Sequence, residues 1–403
     1  MTDGSFQPDR SDLDQAVEAL FQIHESEKTW ELPQKLPEQG IGESAVIDQL
    51  APIVLGRAAH LGTEETFAHM DPPTPWISWV TTLWNASLNQ NLLHPDLSPV
   101  AKKIENRVID WLTPYFGMDG GHMTPGSTVS NLTAIWAARE LKGIKRVIAS
   151  NDAHLSVEKS THLLGLKFEG IETNPCGKLD ASKLPDNLSN AALVLTAGAT
   201  STGAIDPLDL HGRAAWTHVD AAWAGPLRLS QTYAKRLNGI DQADSVSISA
   251  HKWFFQPKEA GLILFKDTKM AHEVVSFGGE YLASPNVGIL GSRGASAIPL
   301  LATLLSWGHS GFQARIDRSM SLADTLWSRL QKHPRTELYG SNITGIVLWR
   351  PEGCSNIDAF FSKLPVGSAS LTTLDDLQWV RNVAANPCVD INKLWSRIEL
   401  ALG

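Results

Sequence analysis

The chain has 403 residues, of which 43% are hydrophobic and 19% charged, and this length and composition favour two globular domains with an N-terminal extension. Its net charge of −9 argues against a nucleic-acid-binding protein, which would carry a basic face. The sequence shows no apolar run that could span a membrane, no N-terminal signal peptide, and three isolated cysteines without metal-ligand spacing. These features predict a cytoplasmic protein that contacts no membrane and binds no metal.

The N-terminal region is predicted to be helical. Apolar residues recur at helical spacing from Ser11 to about Lys28 and again from Glu43 to about His60. Because two such helices cannot bury a core alone, we expect residues 1–75 to form an arm that clasps a partner subunit. Two further helices are predicted, Trp76 to about Asn91 and Ser98 to about Tyr115.

From Gly117 onwards, short β-like runs alternate with helical or loop segments. The runs are Arg146–Ser150, Ala192–Thr196, Trp216–Asp220, Ser245–Ser249 and Gly261–Phe265. This alternation predicts a mainly parallel sheet covered by helices, within a large domain over residues 76–310. Helices at Ala295–Gly308 and Gln313–Gln331 follow, and a small mixed domain over residues 311–403 has its best strand at Ile343–Trp349.

Two of these runs end next to charged residues. Trp216–Ala222 carries Asp220, and Ser245–Lys252 ends in Lys252. Open α/β sheets bind ligands at the carboxyl ends of their strands. An acid and a lysine at that edge suit pyridoxal 5′-phosphate, which needs an amine to form an imine and a carboxylate to keep its pyridine nitrogen protonated.

The segment Thr124–Asn131 opens a strongly helical run and places Gly126 before hydroxyl residues. Free N–H groups and the positive end of the helix dipole would bind a phosphate there. Ser127 or Thr128 could equally serve only as a helix N-cap.

Two loops after other strands add candidate residues. His154, in Asn151–Ser156, could stack on a cofactor ring, although a histidine in such a loop is commonly a capping or surface residue. Thr200, in the small-residue turn Thr196–Asp206, could donate to a cofactor oxygen, or the turn could be an ordinary loop. Each feature alone is weak, but all of them follow strands of one predicted sheet.

In these segments the sequence resembles the group II PLP-dependent amino-acid decarboxylases of the fold-type I, aspartate aminotransferase-like, superfamily. The matching segments are His218–Trp223, Asp244–Trp253, Thr124–Asn131, Asn151–Glu158 and Ala197–Asp206. The resemblance extends over roughly residues 60–320. It implies a large α/β domain with a mainly parallel seven-stranded sheet and helices on both faces, an N-terminal helical arm and a small C-terminal α+β domain.

The resemblance also implies roles for individual residues. Lys252 would form the aldimine with pyridoxal 5′-phosphate, and Asp220 would pair with the pyridine nitrogen. His154 would stack on one face of the ring and Ala222 on the other, with Thr200 near the ring substituents. The phosphate would be held by Ser127, Thr128, Ser249 and His251.

The implied reaction is decarboxylation of an L-amino acid to its amine. Gly291–Gly294 resembles the segment that reaches the neighbouring subunit's phosphate region, so a homodimer with shared sites is implied. However, Gly279–Val287 is shorter than the family's mobile loop, and Tyr281 does not clearly match the tyrosine that protonates Cα. A carbon–carbon lyase like sphingosine-phosphate lyase is therefore the alternative. A non-catalytic scaffold would need neither Asp220 nor Lys252.

The substrate side chain is not identified by the sequence. The candidate wall of its pocket comprises His69–Thr74, Trp84 and His94. Within it Asp71 would suit a basic substrate and His69 an acidic one, and both could be structural instead. Aromatic, acidic and basic amino acids all stay open.

Overall fold

The computed structural model describes residues 9–22, 33–279, 282 and 285–403, which fall into two units, residues 1–60 and 61–403. The first unit contains helices α1 (Arg10–Ala19) and α2 (Glu43–Arg57). Both predicted helices are present, but α1 ends at Ala19, whereas its predicted extent ran to about Lys28. Residues 20–22 form a turn and a bend, and residues 23–28 lie outside the described residues. Gln15 joins the two helices by donating to Oδ1 of Asp48 at 3.1 Å.

The second unit begins with helices and then alternates strands and helices, as the sequence predicts. Its elements up to the long helix are α3 (Trp76–Leu88), α4 (Ala101–Phe116), β1 (Gly120–Thr124), α5 (Ser127–Lys142), β2 (Arg146–Ser150), α6 (Ser156–Leu163), β3 (Lys167–Ile171), β4 (Ala191–Thr196), β5 (Trp216–Asp220), β6 (Ser245–Ser249), β7 (Gly261–Phe265), α7 (Thr268–Val274), β8 (Ser276–Phe277), β9 (Asn286–Val287) and α8 (Ala297–Lys332).

Seven of these strands form one sheet in the order β1-β7-β6-β5-β4-β2-β3, in which only β7 is antiparallel to its neighbours. The predicted mainly parallel sheet is therefore confirmed, and all five predicted strands are present. The sequence did not reveal β1, which opens with two glycines, or β3, a partly exposed edge strand with polar residues.

Helices cover both faces of the sheet, because the side chains of a strand alternate between them. Leu193 and Leu195 of β4 belong to a core with residues of α4 and α8, whereas Ala192 and Val194 of the same strand pack with residues of α5. Helix α5 lies over β5, β6 and β7. This placement brings its N-terminus to the carboxyl ends of the strands.

The two helices predicted at 295–308 and 313–331 are found as α8, a 36-residue element that is interrupted at Gly308, where φ is 60° and ψ is −175°. Neither α8 nor any other helix among the described residues is long and apolar enough to cross a membrane.

A four-stranded antiparallel sheet follows α8, with the order β10-β11-β13-β12. The elements of this region are β10 (Thr336–Tyr339), β11 (Ile346–Pro351), α9 (Ile357–Phe361), β12 (Ser370–Leu374), β13 (Leu377–Val383) and α10 (Ile391–Leu402). The predicted strand Ile343–Trp349 corresponds to β11, which begins three residues later. The sheet packs on its own core, to which Leu326, Trp349 and Leu394 contribute.

Candidate active site

The segments that carry the predicted site residues meet at one edge of the seven-stranded sheet. Strands β1, β2, β4, β5 and β6 run in the same direction, so their carboxyl ends lie at the same edge. Direct contacts join these segments, such as those between Asn131 and Asp220 and between Ser127 and Ser249.

Asp220 ends β5 and is buried. Its Oδ2 accepts a hydrogen bond from Nδ2 of Asn131 at 2.8 Å, and its Oδ1 accepts from the backbone N–H of Ala222 at 3.1 Å. The Ser247 hydroxyl lies 3.3 Å from the same Oδ1. A buried carboxylate needs such partners, and here they fix its orientation at the end of the strand.

Lys252 lies in the tight turn that follows β6. The turn is held by hydrogen bonds from the N–H of Phe255 to the Lys252 carbonyl at 2.8 Å and from the N–H of Gln256 to the Ala250 carbonyl at 3.1 Å. Phe255 is buried with φ of 59°, a strained conformation for an aromatic residue. Burial lowers the pKa of the Lys252 ammonium group, and the charge of Asp220 opposes that shift.

The segment predicted to cradle a phosphate lies at the N-terminus of α5. The Ser249 hydroxyl donates to Oγ of Ser127 at 2.9 Å, which joins the end of β6 to the start of the helix. Gly126 has φ of 123°, and a Cβ there would lie 3.2 Å from Cε1 of His251. Thr128 is exposed one position further along the helix.

These residues fit a phosphate group. The first N–H groups of a helix have no acceptor within it, and those of Ser127 and Thr128 occupy these positions in α5. In the part of the chain that the structure describes, the buried Nδ1 of His251 has no hydrogen-bond partner. Burial, together with the nearby charges of Lys258 and Lys252, lowers the pKa of His251 to about 4.

The remaining predicted residues occupy the same edge. His154 is partly buried, and burial lowers its pKa, while the charge of Asp220 opposes the shift. Ala222 is buried beside Asp220, to which its backbone donates. Thr200 is exposed, and its carbonyl accepts a hydrogen bond from Nε of Arg381 at 2.9 Å.

Two buried residues at this edge were missed by the sequence analysis. Asn131 was assigned only as the end of the cradle segment, although it donates to Asp220. Arg381, from β13, contacts the carbonyl of Ala68 at 3.2 Å as well as that of Thr200. Burial lowers the pKa of Arg381 to about 10. The signal available for Arg381 was a charged residue that follows Trp379 and Val380 in a strand.

The predicted substrate wall carries one ion pair close to the site. Asp71 is paired with Lys258, which follows the Lys252 turn, and the charges of both act on Lys252. His69 and Trp84 are exposed, and Nδ1 of His94 lies 3.5 Å from the carboxylate of Asp96.

The Gly291–Gly294 segment is held by its own chain. Arg293 forms a two-point ion pair with the buried Glu105 of α4, one of whose hydrogen bonds is 2.8 Å. Burial opposes ionisation of Glu105, but Arg293 and Lys102 outweigh it and lower the pKa of the carboxyl to about 2. Tyr281, the candidate proton donor, lies outside the described residues.

Comparison with known proteins identifies relatives of the chain. The profile of the pyridoxal-dependent decarboxylase conserved domain matches residues 25–351. L-2,4-diaminobutyrate decarboxylase of Acinetobacter baumannii is 28% identical over 374 residues, covering 78% of this chain and 73% of the relative. Aspartate 1-decarboxylase of Aliivibrio fischeri is 27% identical, covering 75% and 66% respectively. The structure of Oryza sativa TDC with PLP and tryptamine superimposes with a TM-score of 0.86 at 18% identity, covering 98% of this chain and 97% of that one.

Proposed function

The chain belongs to the family of pyridoxal-dependent decarboxylases, and we propose that it converts an L-amino acid into the corresponding amine and carbon dioxide. It is a carboxy-lyase whose cofactor is pyridoxal 5′-phosphate. One observation in the structure supports the specific proposal most strongly. Lys252 and the Asp220 carboxylate lie at the carboxyl ends of neighbouring parallel strands, beside a helix N-terminus that suits a phosphate.

In the proposed mechanism the phosphate is bound by the N-terminus of α5 and the residues next to it. Ser127, Thr128, Ser249 and His251 would provide this site. The N–H groups at the helix start bring donors and a favourable dipole. The neutral His251 would direct its unpaired Nδ1 towards the same anion.

Lys252 and Asp220 would act on opposite parts of the cofactor. A lowered pKa leaves more of the Lys252 amine neutral, which is the form that attacks a carbonyl carbon. When bound, pyridoxal phosphate supplies an electron sink for the pair released by the broken Cα–carboxylate bond. The Asp220 carboxylate would hold the proton at the ring nitrogen, His154 and Ala222 would enclose the ring, and Thr200 would face its substituents.

We propose that the substrate side chain is charged. The Asp71–Lys258 pair places both signs of charge near Lys252, so a basic side chain could replace Lys258 as the partner of Asp71, and an acidic one could replace Asp71. Two relatives are named for the decarboxylation of diaminobutyrate and of aspartate, and the side chains of both substrates are charged, which supports this proposal.

Release of carbon dioxide from a panel of amino acids, with pyridoxal phosphate added, tests both proposals. The panel contains 2,4-diaminobutyrate, aspartate, glutamate and the aromatic amino acids. We expect the highest kcat/KM with one of the charged substrates. Turnover of aromatic amino acids alone would contradict a charged substrate, and no release from any amino acid would contradict the decarboxylase proposal.

The alternative, a carbon–carbon lyase, is favoured by the shortness of the segment before Gly291. Strands β8 and β9 pair with Phe277 opposite Asn286, so only residues 278–285 connect them. A lyase of this kind would break the Cα–Cβ bond of a β-hydroxy amino acid, release its side chain as an aldehyde and retain the carboxylate. An aldehyde assay with serine and threonine added to the panel distinguishes the two reactions.

We also propose a homodimer, which an exposed apolar stripe on α3 supports. Its residues lie at positions i, i+3, i+7, i+8 and i+12 of the helix and are between 45% and 67% exposed: Trp76, Trp79, Leu83, Trp84 and Leu88. Apolar patches of this kind mark interaction surfaces. We expect sedimentation to give twice the 43.9 kDa chain mass and the double substitution Trp79→Glu, Trp84→Glu to give monomers.

A matched control for the dimer is Leu163→Glu, which places the same charge at an exposed apolar residue of α6. A monomeric wild-type protein, or an equal effect of the control, would contradict the assignment to α3. The division into an arm (1–75), a large domain (76–310) and a small domain (311–403), and the cytoplasmic location, stay predictions.

A further inference from the structure

A stripe of buried polar side chains runs beneath α5 towards the active site. In β5 it contains Trp216, His218 and Asp220, which occupy alternate positions of the strand and so share one face. Ser245 and Ser247 of β6 lie opposite His218 and Asp220 in the parallel register. All five are at most 5% exposed. Buried polar groups are costly unless each is hydrogen-bonded, and these form a continuous chain.

The hydrogen bonds at the far end of the stripe have a defined direction. Nε1–H of Trp216 can only donate, and it donates to Oγ of Ser245 at 2.9 Å. The Ser245 hydroxyl lies 2.8 Å from Nδ1 of His218, and Nε2 of His218 lies 3.0 Å from Oδ1 of Asn131. Burial lowers the pKa of His218 to about 4. A neutral ring therefore accepts from Ser245 and donates to Asn131.

Asn131 joins this chain to the active site. Its Oδ1 accepts from His218 and from the Ser247 hydroxyl at 2.6 Å. Its Nδ2 donates to Oδ2 of Asp220 at 2.8 Å and to Oγ of Ser156 at 2.9 Å. All four hydrogen-bonding positions of the amide are thus used. In the opposite amide orientation the carbonyl oxygen of Asn131 would face the Asp220 carboxylate, and neither group could donate a hydrogen bond to the other.

A second branch of hydrogen bonds leads from Asn131 through Ser156 to His154. Because Oγ of Ser156 accepts from Asn131, its own proton is directed to Nδ1 of His154, 2.7 Å away. The backbone N–H of Ser156 also donates to that Nδ1, at 3.2 Å. Nδ1 is therefore an acceptor, and the neutral imidazole carries its proton on Nε2.

We propose that Asn131 is a positioning residue that sets both the orientation of the Asp220 carboxylate and the tautomer of His154 through one side-chain amide. The inference rests on the proposed function, because it assigns no role to Asn131 apart from these two residues. A structural residue would only hold α5 on the sheet, whereas this role requires two donated hydrogen bonds in fixed directions.

The isosteric substitution Asn131→Asp tests this role, because it replaces both donors with an oxygen. The new carboxyl group would face Asp220, and the other titratable groups around the pair are His218, His154 and Lys252. Two adjacent carboxyl groups hold a shared proton more strongly than either does alone. With that proton bound, the new carboxyl can still donate to Asp220; without it, two negative charges face each other.

The variant should therefore resemble the wild type at low pH and lose function as the pH rises. We expect its dissociation constant for pyridoxal phosphate, followed by absorbance titration, to lie within about 5-fold of wild type near pH ~6 and to be about 10- to 100-fold weaker near pH ~9. Wild-type affinity should show no comparable decline. Parallel pH profiles for the two proteins would overturn the proposal.

Two further variants keep the test decisive. Thr133→Val, the control, alters a buried residue of the same helix whose hydroxyl donates only to the Val129 carbonyl, and it should leave the pH profile unchanged. Ser156→Ala removes the hydroxyl that links Asn131 to His154, leaves the hydrogen bond from the Ser156 backbone N–H to His154, and should lower kcat about 10-fold with little change in cofactor affinity. If Asn131→Asp does not fold, an unchanged kcat in Ser156→Ala overturns the proposal.

Asp220→Asn separates this inference from the proposed function. If that substitution leaves the absorbance and affinity of the bound cofactor unaltered, the role proposed for Asp220 is wrong. If Asp220→Asn alters them while Asn131→Asp shows a wild-type pH profile, the proposed function stands and the role of Asn131 is wrong.

Discussion

Replacing Lys252 with alanine is expected to lower the decarboxylation rate by about 10⁴-fold, because the amine proposed to carry the covalent chemistry is lost. Lys252 lies in a tight turn at the carboxyl edge of the sheet, and burial lowers its pKa towards the reactive neutral amine. The substitution removes a charge that is costly to bury, so the fold should be retained. Steady-state kinetics and circular dichroism measure the two effects.

Covalent attachment gives a second measurement for Lys252. After borohydride reduction of the cofactor-loaded protein, mass spectrometry should find the pyridoxyl group on the peptide that contains Lys252 in the wild type and on no peptide of Lys252→Ala. Lys269→Ala is the matched control, because Lys269 is an exposed lysine of α7, and it should behave as wild type. Full activity in Lys252→Ala would contradict the assignment.

The second large effect is expected at Asp220. Asp220→Asn keeps the size of the side chain but removes the charge proposed to face the ring nitrogen, and a loss of about 100- to 1,000-fold in kcat is expected for a preorganised charge of this kind. The substitution also turns an amide N–H towards a donor, either Asn131 or the Ala222 backbone. Cofactor affinity should weaken together with kcat.

Asp244→Asn is the control for this prediction. Asp244 immediately precedes β6, at the opposite edge of the sheet, where it accepts a hydrogen bond from the Thr217 backbone at 2.7 Å. Asp244→Asn should change kcat by no more than about 2-fold, because it alters a hydrogen bond within the fold and not a group proposed to contact the cofactor. Equal losses in the two variants would show that Asp220 contributes through the fold and not through the cofactor.

The sequence predicted the central strands well because β4, β5 and β6 are buried on both faces and read as short uninterrupted runs. It did not predict β1, since two adjacent glycines are typical of turns. It also could not show that β7 is antiparallel, because local propensity does not determine strand direction. Strand order depends on contacts between residues far apart in the chain.

Like the strands, the candidate site residues divide into those that the local sequence predicts and those that depend on contacts between distant parts of the chain. Asp220 and Lys252 could be predicted because each lies at the end of a recognisable strand or just after it, within a family motif. The role of Asn131 could not be predicted, because its partners Asp220 and His218 lie almost ninety residues away in the chain. Arg381 reaches the site only because the C-terminal sheet packs near Ala68 and Thr200.

The most direct test of the central claim uses a substrate from the amino-acid panel with its carboxyl carbon labelled. We expect one molecule of labelled carbon dioxide for each molecule of amine formed by the cofactor-loaded wild type, and neither product from Lys252→Ala. No labelled carbon dioxide from the panel, together with cleavage of a β-hydroxy amino acid such as threonine into an aldehyde and an amino acid that keeps the label, would contradict decarboxylation and would assign the site to a carbon–carbon lyase.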